Sequence, residues 1–207
     1  PGGSAECPVD LTFTVTDGAL TIGTYTHNYN ITSVNDAPVV VANSLTISES
    51  GTVVLTNADL LTTDSDNSAA QLTYTVSSVT GGRFELVASP GVAITSFTQA
   101  QVNSGLVQFV HDGNEAAPTY SVTVSDGALS DGAYAASISF TNINDVPVIT
   151  DATLSLPENS VNGTSVGTVN LTDPDTVDSH VFSIIGGNTG NAFSIDATTG
   201  EITVNDV

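Results

Sequence analysis

Residues 15–25 read VTDGALTIGTY, and residues 124–134 read VSDGALSDGAY. At this offset of 109 residues Asp17 meets Asp126, Gly23 meets Gly132 and Tyr25 meets Tyr134 without a gap. Working outward, the same shift lays SVNDAPVV (33–40) on TNINDVPVI (141–149), so that Asp36 meets Asp145. Beyond the prolines it pairs Leu45 with Leu154, Glu49 with Glu158, Asp64 with Asp173, Asp66 with Asp175 and Phe84 with Phe193. One offset held over most of the overlap indicates tandem domains. Residues 1–37 then read as the tail of one repeat, 38–147 as a complete repeat and 148–207 as the front of a third.

Inside the complete repeat, short runs alternate apolar and polar residues: SLTIS, TVVL, QLTYTVSSV, RFELV, LVQFV, YSVTVS and AASISFTNI. Turn residues separate them, including Gly81-Gly82, Ser89-Pro90-Gly91, Asp112-Gly113-Asn114 and Ser125-Asp126-Gly127. Alternation of this length, punctuated in this way, predicts strands. TNADLL and TQAQVNSG are short enough for a single helical turn each. Seven or so strands in about a hundred residues predict an all-β chain of tandem immunoglobulin-like antiparallel β-sandwiches. Tyr74, Phe84, Phe109, Tyr120 and Phe140 are then the expected core anchors.

Composition narrows the function. The 207 residues hold 22 acidic side chains against a single basic one, Arg83, for a formal net charge of −21. No basic patch exists to hold nucleic acid, and docking on an anionic membrane is disfavoured. Charge of this size repels itself unless cations neutralise it. At 40% hydrophobic and 11% charged, rich in Val, Thr, Ile and Ser, the chain is not of disordered composition. Cys7 is the only cysteine, so no internal disulfide forms. No apolar run is long enough to span a bilayer. The chain starts with Pro1 and lacks Met, which reads as a processed product or a piece of something longer.

FTQAQVNSGLVQFVHDGNEAAPTYSVTVSDG (97–127) resembles the chondroitin sulfate proteoglycan type of cadherin-like repeat, and the resemblance covers nearly all of 38–147. LPENS (156–160), DPD (173–175) and DATTGEI (196–202) make the third segment similar to a plain cadherin repeat. The resemblance implies cadherin-like sandwiches joined by Ca²⁺-binding junctions, as in large bacterial surface adhesins. For the second junction it implies Glu49, Asp112, Glu115, Asn144, Asp145, Asp173 and Asp175 as ligands. For the first it implies Asn35, Asp36, Asp64, Asp66 and Asp126, with Glu6 as a weakly aligned equivalent of Glu115, while Glu158 serves the site after its own repeat. Cadherin linkers usually open on Asp and carry Asn after the second Asp. Here Ser33 and Asn142 stand at the first place, and Ala37 and Val146 at the second. Each junction is therefore expected to hold fewer ions, or to hold them less tightly.

Physical chemistry supports the assignment without the family. Ca²⁺ takes six to eight oxygens. An Asp-x-Asp pair can offer two carboxylates to one ion, and an Asn-Asp linker adds a side chain and carbonyls. Pro38 and Pro147 hold the residues before them extended, which stiffens the linker. His111 reads as a surface or strand residue rather than a ligand, and His27 and His180 lack a partner at zinc spacing. No nucleophile elbow or ordered triad is present, so no enzymatic activity is expected.

The expected function is that of a Ca²⁺-stiffened extracellular spacer or adhesion repeat of a bacterial surface or matrix protein. Its expected partners are neighbouring repeats of the same chain or identical chains, then other surface or matrix components. Nucleic acid and membrane insertion are not among them. The alternative is a filament subunit, in which the half-repeats at 1–37 and 148–207 complete each other between chains by strand addition.

Overall fold

The computed structural model describes residues 9–29 and 32–206. The chain is all-β and divides into two compact units, Pro1–Asn142 and Ile143–Val207.

The first unit begins with a hairpin of β1 (Val9–Phe13) and β2 (Tyr25–Tyr29), in which Val9 lies opposite Tyr29 and Phe13 opposite Tyr25. The sandwich follows: β3 (Val39–Ser48), β4 (Thr52–Val54), β5 (Leu60–Thr63), β6 (Thr73–Thr80), β7 (Gly82–Leu86) and β8 (Ser96–Thr98). After the five-residue helix α1 (Gln99–Asn103) come β9 (Val107–His111), β10 (Thr119–Ser125), β11 (Ser130–Ala135) and β12 (Ser137–Thr141). The strands form sheets ordered β11-β10-β6-β8, β12-β3-β5 and β4-β9-β7. All pairings are antiparallel except β12 with β3, which is parallel.

Period-two burial builds the core. Along β10, Tyr120, Val122 and Val124 point inward, and along β9 Val107, Phe109 and His111 do the same. Phe84 stands edge-on to both Phe109 (5.0 Å between ring centres) and Tyr120 (4.9 Å). Four expected anchors, Tyr74, Phe84, Phe109 and Tyr120, are buried; Phe140 is half-buried and packs on the outside of the cluster. Each buried aromatic contributes roughly 3–5 kcal/mol relative to alanine.

The 109-residue shift also explains the hairpin. Leu11, Phe13 and Val15 correspond to Tyr120, Val122 and Val124. The first three are 47%, 39% and 60% exposed, the second three 3% or less. The same apolar row is buried where β3 to β9 of its own repeat lie beneath it.

Of the two segments expected to make a single helical turn, one runs on into a strand and the other makes the turn. TNADLL turns at residues 57–59, but its Leu60 and Leu61 enter β5, because Leu60 and Leu61 pair with Asn43 and Ala42 of β3. TQAQVNSG does make the single turn, α1. Thr98 caps it by accepting from the Gln101 N–H, and the Gln101 side chain accepts from the Thr98 N–H.

A buried polar network ties β5, β6 and α1 together. The Thr62 N–H donates to Gln99 Oε1 at 2.7 Å, and the Tyr74 hydroxyl meets both Gln99 Oε1 and Thr62 Oγ1. Gln99 Nε2 donates to Asn57 and Asn103. Burial pushes the Tyr74 phenol up to about 12. Elsewhere Glu85, 1% exposed, accepts from Arg83, Gln108 and the Gly91 N–H, so the one basic residue answers a buried acid.

The second unit holds β13 (Val148–Ile149), β14 (Ser165–Thr168), β15 (Leu171–Thr172), β16 (Phe193–Ile195) and β17 (Glu201–Val204). They pair as β13-β15 and β14-β17-β16. Leu154 here is 44% exposed, whereas its counterpart Leu45 is 1% exposed.

Phe84→Ala is expected to lower the unfolding free energy by about 3–5 kcal/mol, read by urea denaturation. Leu20→Ala, at a side chain 75% exposed, is expected to stay within about 0.5 kcal/mol. Equal effects of the two would contradict the assignment of the core.

Candidate metal centre

The acidic loop after β5 folds around one side chain. Asp64 Oδ1 accepts from the N–H groups of Asp66 (2.7 Å) and Asn67 (2.8 Å), an Asx turn that brings both aspartates to one side. The linker docks there. The Asp36 N–H donates to Asp66 Oδ2 at 2.8 Å. Asn35 Nδ2 donates to the carbonyl of Asp36 (2.9 Å) and to Asp126 Oδ2 (2.7 Å). All five residues expected at the first junction are thereby brought together in one unit: Asn35, Asp36, Asp64, Asp66 and Asp126. Asn35 and Asp66 also line a cavity of about 220 Å³, together with Ser33, Asn67 and Gln71. Glu6, the weak sixth candidate, lies outside the described residues.

Two oxygens at this centre are buried without a hydrogen-bond partner, Asp64 Oδ2 and Asn67 Oδ1. A desolvated carboxylate oxygen with no donor costs about 1–3 kcal/mol or more. Such a group calls for an ordered water or an ion beside it. The whole donor set is oxygen, which suits a hard cation. Asn67 was not legible as a candidate; its only sequence signal is its place directly after the Asp-x-Asp pair.

Asp126 is pre-ionised by its neighbours. The Asn35 amide first, then the N–H groups of Leu129 and Ala128, hold its carboxyl below the ordinary carboxylate range.

The second unit repeats the arrangement at the shifted positions. The Asp145 N–H donates to Asp175 Oδ2 (2.5 Å), Asn144 Nδ2 to the carbonyl of Asp145 (2.9 Å), and the Asp175 N–H to Asp173 Oδ1 (3.0 Å). One atom differs. Asp173 Oδ2, the counterpart of the unpartnered Asp64 Oδ2, receives His180 Nε2 at 2.7 Å, and this bond holds the Asp173 carboxyl low. Position 71, the counterpart of 180, is Gln, whose Oε1 accepts from Ser68 instead. His180 has no zinc-spaced partner in sequence, yet the fold supplies Asp173.

The remaining candidates divide. Glu49 and Glu115 belong to the first unit and bring carboxylate oxygens within 4.8 Å of each other. Asp112 is exposed, and its Oδ1 accepts from the Asn114 N–H. Glu158, the counterpart of the buried Glu49, is exposed in its turn. Of the two readings of His111, surface or strand residue, the structure shows the second: it ends β9, 4% exposed, stacked on Phe140 at 4.9 Å.

The chain resembles known proteins in sequence and in fold. Residues 38–140 match the sequence model of the cadherin-like family, and residues 152–207 match that of the cadherin domain. Human chondroitin sulfate proteoglycan 4 is 38% identical over 82 residues, 39% of this chain and 4% of that protein. Human extracellular matrix organizing protein FRAS1 is 36% identical over 94 residues, 44% of this chain and 2% of that protein. The chain thus spans only a few per cent of the relatives it matches. The crystal structure of human CDH23 EC21-23 superposes with a TM-score of 0.55 at 20% identity, over 95% of this chain and 63% of that one. The fold is a cadherin-like sandwich, and the chain carries cadherin-like repeats.

A carboxylate whose pKa falls on folding adds stability above its unfolded pKa; that stability is lost as pH drops through the lower folded value. A carbon-13 NMR titration is therefore expected to place Asp126 below the ordinary 3.8, and Asn35→Ala to move it back toward that value. An unmoved Asp126 in the variant would show that Asn35 does not hold it.

Proposed function

We propose that this chain of cadherin-like repeats is an extracellular spacer of a large surface or matrix protein, stiffened by Ca²⁺ at its acidic loop–linker clusters. The observation that carries the reading is the pair of buried oxygens, Asp64 Oδ2 and Asn67 Oδ1, left without a donor inside an all-oxygen set. Asn35, Asp36, Asp64, Asp66, Asn67 and Asp126 would hold the ion in the first unit. Asp145, Asp173 and Asp175 form the corresponding set in the second. Bound Ca²⁺ supplies positive charge where a chain of net charge −21 concentrates its carboxylates. It also fixes the linker to the loop, which is a mechanical rather than a catalytic role. The relative named as a matrix-organizing protein supports an extracellular setting. The tandem arrangement of a chondroitin sulfate proteoglycan-type repeat and a cadherin-like segment resembles the arrays of large bacterial surface adhesins, which extends the reading to a bacterial surface protein.

Extracellular modules bind Ca²⁺ at roughly 10⁻⁴–10⁻³ M. At tenfold excess over Kd one site adds about 1.4 kcal/mol. For a chain of this size that raises Tm by about 3–6 °C per site. Scanning calorimetry in EGTA and then in Ca²⁺ is expected to show this rise, with Mg²⁺ giving less. Asp64→Asn keeps the Asx turn and removes the charge, and is expected to remove the first unit's share. Equal Tm in EGTA and Ca²⁺ would overturn the proposal.

A further inference from the structure

His111 is buried at the end of β9, yet it is neither an acid nor part of the apolar core. Its ring makes four contacts with three separate segments. Nδ1 accepts from the N–H groups of Ser50 (3.3 Å) and Gly113 (3.1 Å). That leaves the ring proton on Nε2, which faces the carbonyl of Ala116 at 3.1 Å. The ring face stacks on Phe140 of β12, with planes 25° apart.

The partners have a pattern. Ser50 is the residue after Glu49, and Ala116 is the residue after Glu115. One nitrogen holds the neighbour of the first glutamate, and the other holds the neighbour of the second. The surrounding backbone is built for this approach. The His111 N–H donates to the carbonyl of Gly51, and the Glu49 N–H to that of Thr141, both at 2.9 Å. Gly113 has φ +83°, and a Cβ there would lie 3.1 Å from Ser50 Oγ. A side chain at this position would strain the backbone and press on Ser50, so glycine suits the close approach of loop and turn.

We infer that His111 is a positioning residue: it clips the 48–51 turn to the 112–116 loop and so assembles the Glu49–Glu115 carboxylate pair for a divalent cation. Carboxylate oxygens of the pair lie within 4.8 Å of each other, close enough for one ion to meet both. His111 touches neither carboxylate in this role and donates nothing to the ion. It acts through the backbone on either side. The inference rests on the Ca²⁺ reading above for the identity of the ligand, and on geometry alone for the clip.

The test uses His111→Phe, which keeps the stacking and most of the volume and removes both nitrogens. Backbone amides are followed by NMR during a Ca²⁺ titration of the 207-residue chain. The expected result is a Ca²⁺ midpoint about tenfold higher at Glu49 and Glu115, the loss usual when a partner behind a metal ligand is removed. The midpoints at Asp36 and Asp66 are expected to stay where they are, which a general loss of stability would not allow. Unchanged midpoints at Glu49 and Glu115 would overturn the inference. If the wild-type chain shows no Ca²⁺ response anywhere, the cation reading fails, and hydrogen exchange decides the clip separately. Faster exchange at Ser50 and Gly113 in the variant, with the β6 amides unaffected, supports it; unchanged exchange overturns it. Should His111→Phe fail to fold, His111→Gln retains one acceptor and one donor, and the same two readouts are expected to move in the same direction by a smaller factor.

Discussion

The hydrogen bond from the Asp36 N–H to Asp66 Oδ2 is the constraint on which the first acidic cluster depends. It joins the linker that precedes the sandwich to the loop that leaves β5. Once it forms, Asp66 has one oxygen committed to the backbone, Asn35 is drawn onto Asp126, and Asp64 is turned inward by its own Asx turn. The Asp145 N–H makes the same bond to Asp175 in the second unit. Two copies with the same partners at the same offset argue that the linker phrase is a docking element, and not only a turn.

On the proposed reading, electrostatics is why such docking would take up a cation. The one Arg of the chain lies beside Glu85, away from the linkers, so no basic side chain answers Asp36, Asp64, Asp66 and Asp126. Backbone and amide N–H groups carry the compensation, and they fall short by the buried oxygens of Asp64 and Asn67. In the second unit His180 covers the corresponding oxygen of Asp173. The two clusters thus share a linker-to-loop bond and differ in the donor on this oxygen, which follows from Gln71 and His180 at equivalent places, and Thr176 stands where the first has Asn67.

Local patterns were the readable part of the sequence. Alternation marks the buried rows of β6, β9 and β10, and the 109-residue shift marks the linker and loop acids as equivalent positions, while the cadherin resemblance implies that linker and loop meet. What could not be read depends on distant partners. β5 is a strand because β3 lies beside it, not because Leu60-Leu61 alternates. His111 and His180 look isolated in sequence, since their partners lie at 50, 116 and 140 for one and at 173 for the other. Asn67 joins the cluster only through an oxygen whose burial no local pattern announces.

The central claim is that an ion belongs beside Asp64 Oδ2. A crystal structure of the chain grown with Ca²⁺, with Tb³⁺ as an anomalous substitute, tests it most directly. The account predicts a peak about 2.3–2.6 Å from oxygens of Asp64, Asp66 and Asp126. An ordered water hydrogen-bonded to Asp64 Oδ2 and Asn67 Oδ1, with no anomalous density at saturating Tb³⁺, would contradict it.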